Sequence, residues 1–167
     1  MAKTIKDTIK SRKVAILTAD GIDGSQVDKM KKALMGAGAV AEVIAPKLGQ
    51  VSTIKGVAIP IDKTLMTVSS VLYDAVYVPG GSKAIQMLVQ KPDVIDFISQ
   101  AYKHCKAIAF ESDTDPLIQR TPIGEDLRDK KTLPGIIISS GPEKDLSKDF
   151  IKSIAQHRFW EREKSPV

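Results

Sequence analysis

The sequence predicts an α/β domain built on a mostly parallel five-stranded sheet, with helices on both faces and a small β excursion. Three observations carry this expectation. Short continuous apolar runs recur along the chain, each stopped by Gly, Pro or a polar turn, as strands buried on both faces require. Stretches with apolar residues at helical spacing lie between those runs. Their alternation implies right-handed βαβ crossovers and a sheet covered on both sides. With 167 residues and 43% hydrophobic content, the chain has material for one core and reads as one domain.

Residues 13–19, Lys-Val-Ala-Ile-Leu-Thr-Ala, are the first strand, ended by Asp20-Gly21. Val27, Met30, Ala33, Leu34 and Ala37 then fall on one helical face, with Ser25 as expected cap and Gly38 as stop. Residues 40–45 are the second strand, closed by Pro46. From Lys47 to Ser70 the pattern breaks into short extended pieces around Gly49, Gly56 and Pro60, a hairpin-like excursion. Val71–Val78 is the third strand, and Pro79-Gly80-Gly81 leads into a short helix capped by Ser82 and running through Gln90. Pro92 suits the first turn of the next helix, which runs through His104. Lys106–Phe110 and Gly135–Ser140 are the fourth and fifth strands. Leu146–Glu163 is the last helix, with Phe150, Ile151, Ile154 and Ala155 inward. Residues 1–12 lack apolar periodicity and read as a linker or arm before a domain spanning 13–167.

Composition excludes several classes. No apolar run approaches the roughly 18 residues that a membrane-spanning helix needs, and Met1–Lys13 has no secretory h-region. The expectation is a cytoplasmic protein without a membrane partner. A single cysteine, Cys105, leaves no disulfide framework and no Cys-based zinc cluster. The net charge is +5, but the lysines are scattered and aromatics make up only 5%. Neither a basic face nor a stacking platform for nucleic acid emerges.

In an open α/β sheet, ligands gather at the carboxyl ends of the strands. Here those ends carry Asp20–Gly24, Pro79-Gly80-Gly81, Glu111-Ser112-Asp113 and Ser139-Ser140-Gly141. Asp20 and Asp23 place negative charge where a phosphate would sit, and neither Gly-x-Gly-x-x-Gly nor Gly-Lys-Ser/Thr occurs. A phosphorylatable receiver would need an aspartate after the third strand and a lysine after the fifth. Pro79-Gly80 and Ser139-Ser140 stand there instead. The carboxylates Asp20, Asp23, Glu111, Asp113 and Asp115 could share one rim and hold a cation, but no metal-loop spacing accompanies them, so caps and loop anchors are expected.

Asp-Gly-Ile-Asp-Gly after the first strand and Val-Pro-Gly-Gly after the third resemble the flavodoxin-like PfpI superfamily, related to class I glutamine amidotransferases. That resemblance implies a carboxylate at Asp23 and oxyanion-hole amides at Gly80 and Gly81. It also implies a nucleophile elbow bearing cysteine after the fourth strand. The elbow here reads Ala109-Phe110-Glu111-Ser112-Asp113, with neither cysteine nor histidine. Cys105 precedes that strand and reads as a half-buried structural thiol. Ser112 has no neighbouring base, since His104 and His157 flank the opposite strand end and the last helix. Asp23, Gly80, Gly81, Glu111 and Ser112 are thus vestigial-site candidates, with no catalytic residue assigned.

Longer stretches resemble the C-terminal domain of large-subunit haem catalases. They are residues 12–24, 43–49, 69–81 and 101–108 and the closing Ile154-Ala155-Gln156-His157-Arg158-Phe159-Trp160-Glu161-Arg162. The resemblance implies a non-catalytic accessory domain that supports the stability and assembly of a peroxide-dismutating enzyme. Its partners are the remainder of the catalase polypeptide and the homotetramer, and the haem belongs to that parent. Haem catalases use a distal asparagine, and this sequence contains no asparagine. Two alternatives stay open: a stand-alone chaperone-like holdase whose partners are unfolded clients, and a residual PfpI-like hydrolase or glyoxalase using Ser112, Glu111 or Asp23. An excised domain and a free-standing relative are equally compatible with the sequence.

Overall fold

A computed structural model of the chain describes residues 8–139, 141, 145–156, 158 and 159. Strand β1 (Lys13–Leu17) leads to helix α1 (Gly24–Gly36) and strand β2 (Val40–Ala45). The excursion holds β3 (Gln50–Ser52), β4 (Ala58–Pro60) and β5 (Lys63–Thr64). A 3₁₀ turn at Ser70–Leu72 precedes β6 (Ala75–Val78), α2 (Ser82–Val89), α3 (Pro92–Lys103) and β7 (Ala107–Phe110). The chain then forms α4 (Asp115–Ile118), α5 (Pro122–Asp129), β8 (Ile136–Ile138) and α6 (Ser147–Ala155).

Six strands form one sheet in the order β5-β2-β1-β6-β7-β8, every pair parallel, while β3 and β4 make a separate antiparallel hairpin. The chain steps outward from β1 in one direction and from β6 in the other. Right-handed crossovers therefore place α1 and the helices that link β6 to β7 on opposite faces. Accordingly α1 touches α6, whereas α2 touches α3 and α4. Val14–Leu17, Ala75–Val78 and Ala107–Phe110 are fully buried, as strands covered on both sides must be.

The α/β architecture is as expected, and the differences are local. The sheet has six strands rather than five, because Lys63–Thr64 pairs with Ile44–Ala45. The third strand starts at Ala75, since Val71 and Leu72 belong to the 3₁₀ turn. Asp23, not Ser25, caps α1, and Ser82 is the first residue of α2 with no capping hydrogen bond. Ile9, expected within an undocked arm, is buried against the core, and the Ser11 amide donates to the Gly38 carbonyl at 2.9 Å. Phe150, Ile154 and Ala155 are buried on α6, with Ile151 at its edge. Residues 1–7, Ser140, His157 and the expected helical stretch over 160–163 lie outside the described residues.

Candidate functional site

The switch in strand order between β1 and β6 opens a crevice at the carboxyl end of the sheet, where such folds bind ligands. Asp23, after β1, folds its carboxylate back on its own helix. Oδ1 accepts from the Ser25 amide (3.1 Å), the Ser25 hydroxyl (2.7 Å) and the Gln26 amide (3.3 Å). Its spacing to Gln26 is that of a capping box, yet the Gln26 side chain reaches across the crevice instead. Gln26 Oε1 accepts from the Gly80 amide at 2.6 Å. The next amide, Gly81, donates to Asp113 Oδ2 at 2.9 Å. Both amides offered by the loop after β6 are therefore taken by the protein's own side chains.

Glycine is needed where these loops meet. Gly81 has φ +122°, and a Cβ there would overlap the Gly21 carbonyl oxygen and crowd the Asp23 amide. This close approach of two backbones is held by the Asp23 amide donating to the Gly80 carbonyl at 2.9 Å.

Glu111 stands at the tip of β7, 5% exposed, and accepts a short hydrogen bond from the Tyr77 hydroxyl on β6. Burial pushes the Glu111 carboxyl up despite that bond, and the charges of Asp113 and Asp23 push it further. Burial also raises the Tyr77 phenol, with the Glu111 charge adding to it. Neither Glu111 nor Ser112 has a positive φ, so this tip is not a strained elbow. Ser112 is half-buried, and His104 lies at the far end of β7, about 13 Å of strand away. A cavity of about 40 Å³ beside Glu111, lined also by Gln26, Lys29, Tyr77 and Asp145, holds little more than a water. It is far below the few hundred Å³ of a ligand site.

The other carboxylates do not join one rim. Asp20 receives Lys47 Nζ at 2.8 Å and the Ser52 amide at 3.0 Å, which anchors the excursion, and these partners hold its pKa down. Asp115 starts α4 and accepts from Gln119 Nε2 at 3.3 Å. Among the described residues no cluster of three or more His, Cys, Asp and Glu is arranged to hold a metal.

Cys105 is fully buried rather than half-buried. It adopts φ +63° at the end of α3, and its carbonyl accepts from the Phe159 amide at 2.7 Å. A cavity of about 580 Å³ runs between α1 and the β3–β4 hairpin. Its lining has no His, Cys, Met or Tyr to ligate a haem iron, so a haem does not fit there.

Gln26 and Tyr77 were not among the residues singled out by sequence. Their roles depend on contacts 54 and 34 positions away, and only the Asp23-to-Gln26 spacing could have drawn notice.

Residues 10–164 match the family model described as the C-terminal domain found in long catalases. The chain belongs to that family. It is 34% identical to Catalase HPII of Pseudomonas aeruginosa over 155 residues, 93% of this chain and 21% of that protein. It is also 34% identical to Catalase-2 of Bacillus subtilis over 165 residues, 96% of this chain and 22% of that one. The domain thus spans about a fifth of the length of these relatives. In fold it is similar to a ThiJ/PfpI domain protein from Brachyspira murdochii, with a TM-score of 0.71 and 18% identity, covering 87% of this chain and 95% of the other. A DJ-1 superfamily protein from Salmonella typhimurium gives a TM-score of 0.64 at 23% identity, covering 80% and 77%. The family that the sequence resembles is borne out, and so is the flavodoxin-like fold.

Proposed function

We propose that this chain is a non-catalytic accessory domain of a long catalase, supporting the stability and assembly of an enzyme whose peroxide chemistry and haem reside in the rest of the polypeptide. The carrying observation is the occupied pair of amides. Where the PfpI resemblance expects an open oxyanion hole, Gly80 is bonded to Gln26 and Gly81 to Asp113. An acyl-transfer site needs such donors free and aimed at the developing charge. A nucleophile also needs an activating base, and the tip of β7 offers a buried, tyrosine-bonded carboxyl and an unassisted serine.

In this reading the domain works through contacts, with the remainder of the catalase polypeptide and its homotetramer as partners, in the cytoplasm. The purified chain is expected to consume no hydrogen peroxide and to show no haem absorption band after incubation with hemin. Turnover, or a stoichiometric band, overturns the proposal.

A further inference from the structure

Among the described residues, Glu111 is the one buried carboxylic acid, and the accessory reading gives it no task. Its Oε2 accepts from the Tyr77 hydroxyl, and no lysine or arginine forms an ion pair with it among the described residues. The surroundings are largely acidic. Asp113 stands two residues on, Asp23 lies at the start of α1, and Asp145 lines the same small cavity from the segment before α6. Lys29 of α1 is the cation in that lining, while Gln26, Met30 and Leu146 carry no charge. Lys148, on α6 beside Asp145, is exposed.

Two of these neighbours hold α6 in place. Asp145 Oδ1 accepts from the Ser147 amide at 2.9 Å and the Ser147 hydroxyl at 2.7 Å, which starts the helix and holds the Asp145 carboxyl below the usual carboxylate range. Asp145 is therefore an anion near neutral pH. The Tyr77 ring lies 6.2 Å from that of Phe150, a fully buried residue of α6. A neutral Glu111 carboxyl suits this setting. Its anion would sit in a space of about 40 Å³, room for little more than one water, with Lys29 shared between two carboxylates.

We infer that Glu111 is a proton-operated latch on α6. Protonated, it lies bonded to Tyr77 beneath the helix; ionised, it draws water into the cavity and repels Asp145, so that α6 opens locally while the sheet stays folded. Burial sets the direction. Burial, with the charges of Asp113 and Asp23, raises the Glu111 carboxyl in the folded chain above its ordinary value of 4.5, which outweighs the opposing effect of the Tyr77 bond. The latch is thus fully closed below 4.5 and loosens as the pH rises through the folded-state value. It stands apart from the accessory reading, and either can fail alone.

The test is hydrogen–deuterium exchange of the whole 167-residue chain at steps from pH 5 to pH 7.5, read as protection factors so that the intrinsic pH dependence of exchange drops out. The α6 amides from Phe150 to Ala155 are expected to lose protection roughly tenfold, while those of β1 and β6 keep theirs. Glu111→Gln retains an oxygen for the Tyr77 hydroxyl and cannot ionise, so its α6 protection should not change with pH. Tyr77→Phe removes the bond that favours the anion, and its loss of protection should begin at higher pH.

Constant α6 protection in the parent chain overturns the latch, as does the same loss in Glu111→Gln. Equal loss across sheet and helix would mark global destabilisation and overturn it too. An onset at lower pH in Tyr77→Phe would contradict the role given to the tyrosine bond and the latch with it.

Discussion

At the carboxyl end of the sheet, backbone amides are met by side chains: Gly80 by Gln26 and Gly81 by Asp113. At the amino end, one carboxylate gathers residues from the segments before β1 and after α6. Asp74 Oδ2 accepts the Lys13 amide at 2.9 Å, and both Arg12 and Arg158 place Nη1 4.0 Å from its Oδ1. Phe159 reinforces this closure through its amide on the Cys105 carbonyl. Both ends are satisfied internally, but for different reasons. The amino end is a clamp on the terminal segments, whereas the carboxyl end is a ligand crevice filled from within. In the proposed accessory reading, the place where such folds bind ligands is taken up by tertiary hydrogen bonds while the surrounding architecture is kept.

Substitutions can disrupt either end of the sheet, and the largest effect is expected at Gly81. Gly81→Ala forces a side chain into φ +122° against the Gly21 carbonyl oxygen, and urea unfolding should show a loss of about 3 kcal/mol. At the other end, Asp74→Ala removes the acceptor shared by Lys13, Arg12 and Arg158, and the same measurement should show about 2 kcal/mol. An unchanged midpoint would mean that the clamp contributes nothing. Asp113→Ala should cost about 1 kcal/mol and yield no esterase activity, because freeing one amide does not supply a nucleophile. Activity in that variant would show the crevice to be blocked rather than dismantled.

The smallest effect concerns pH. Lys106 is buried at the amino end, where its ammonium donates to the Ser70 carbonyl at 2.6 Å. Burial, with Arg158 nearby, brings its pKa down to about 8 from 10.5. Between those values the unfolded chain holds the proton and the folded chain releases it, so stability from this group rises with pH across that window. Lys106→Met should flatten the rise, as read by urea unfolding at pH 8 and pH 10. A slope that survives the substitution assigns it to another group.

The sheet was readable because its inner strands are largely apolar runs, interrupted in β2 by Glu42, that end at Asp20-Gly21, Pro46 and Pro79-Gly80. The helices α1 and α3 were readable from their spacing. Strand β5 has two residues and α4 has four, too short to show a period. For α5, Pro122 at the first turn was the available signal. Ile9 is one of the few apolar residues in a polar stretch, and only packing against the core reveals its burial. At the site, the identities of Asp23, Gly80, Gly81, Glu111 and Ser112 could be read, but not what each touches. A glutamine on α1 reaching a glycine after β6 leaves no local pattern.

In the proposed accessory reading the tip of β7 carries no working nucleophile. The direct measurement is intact-protein mass after exposure to a serine-directed acylating probe, with Ser112→Ala alongside. Equal, sub-stoichiometric labelling of both proteins is the predicted result. One full adduct on the parent chain, absent from Ser112→Ala, would contradict the account.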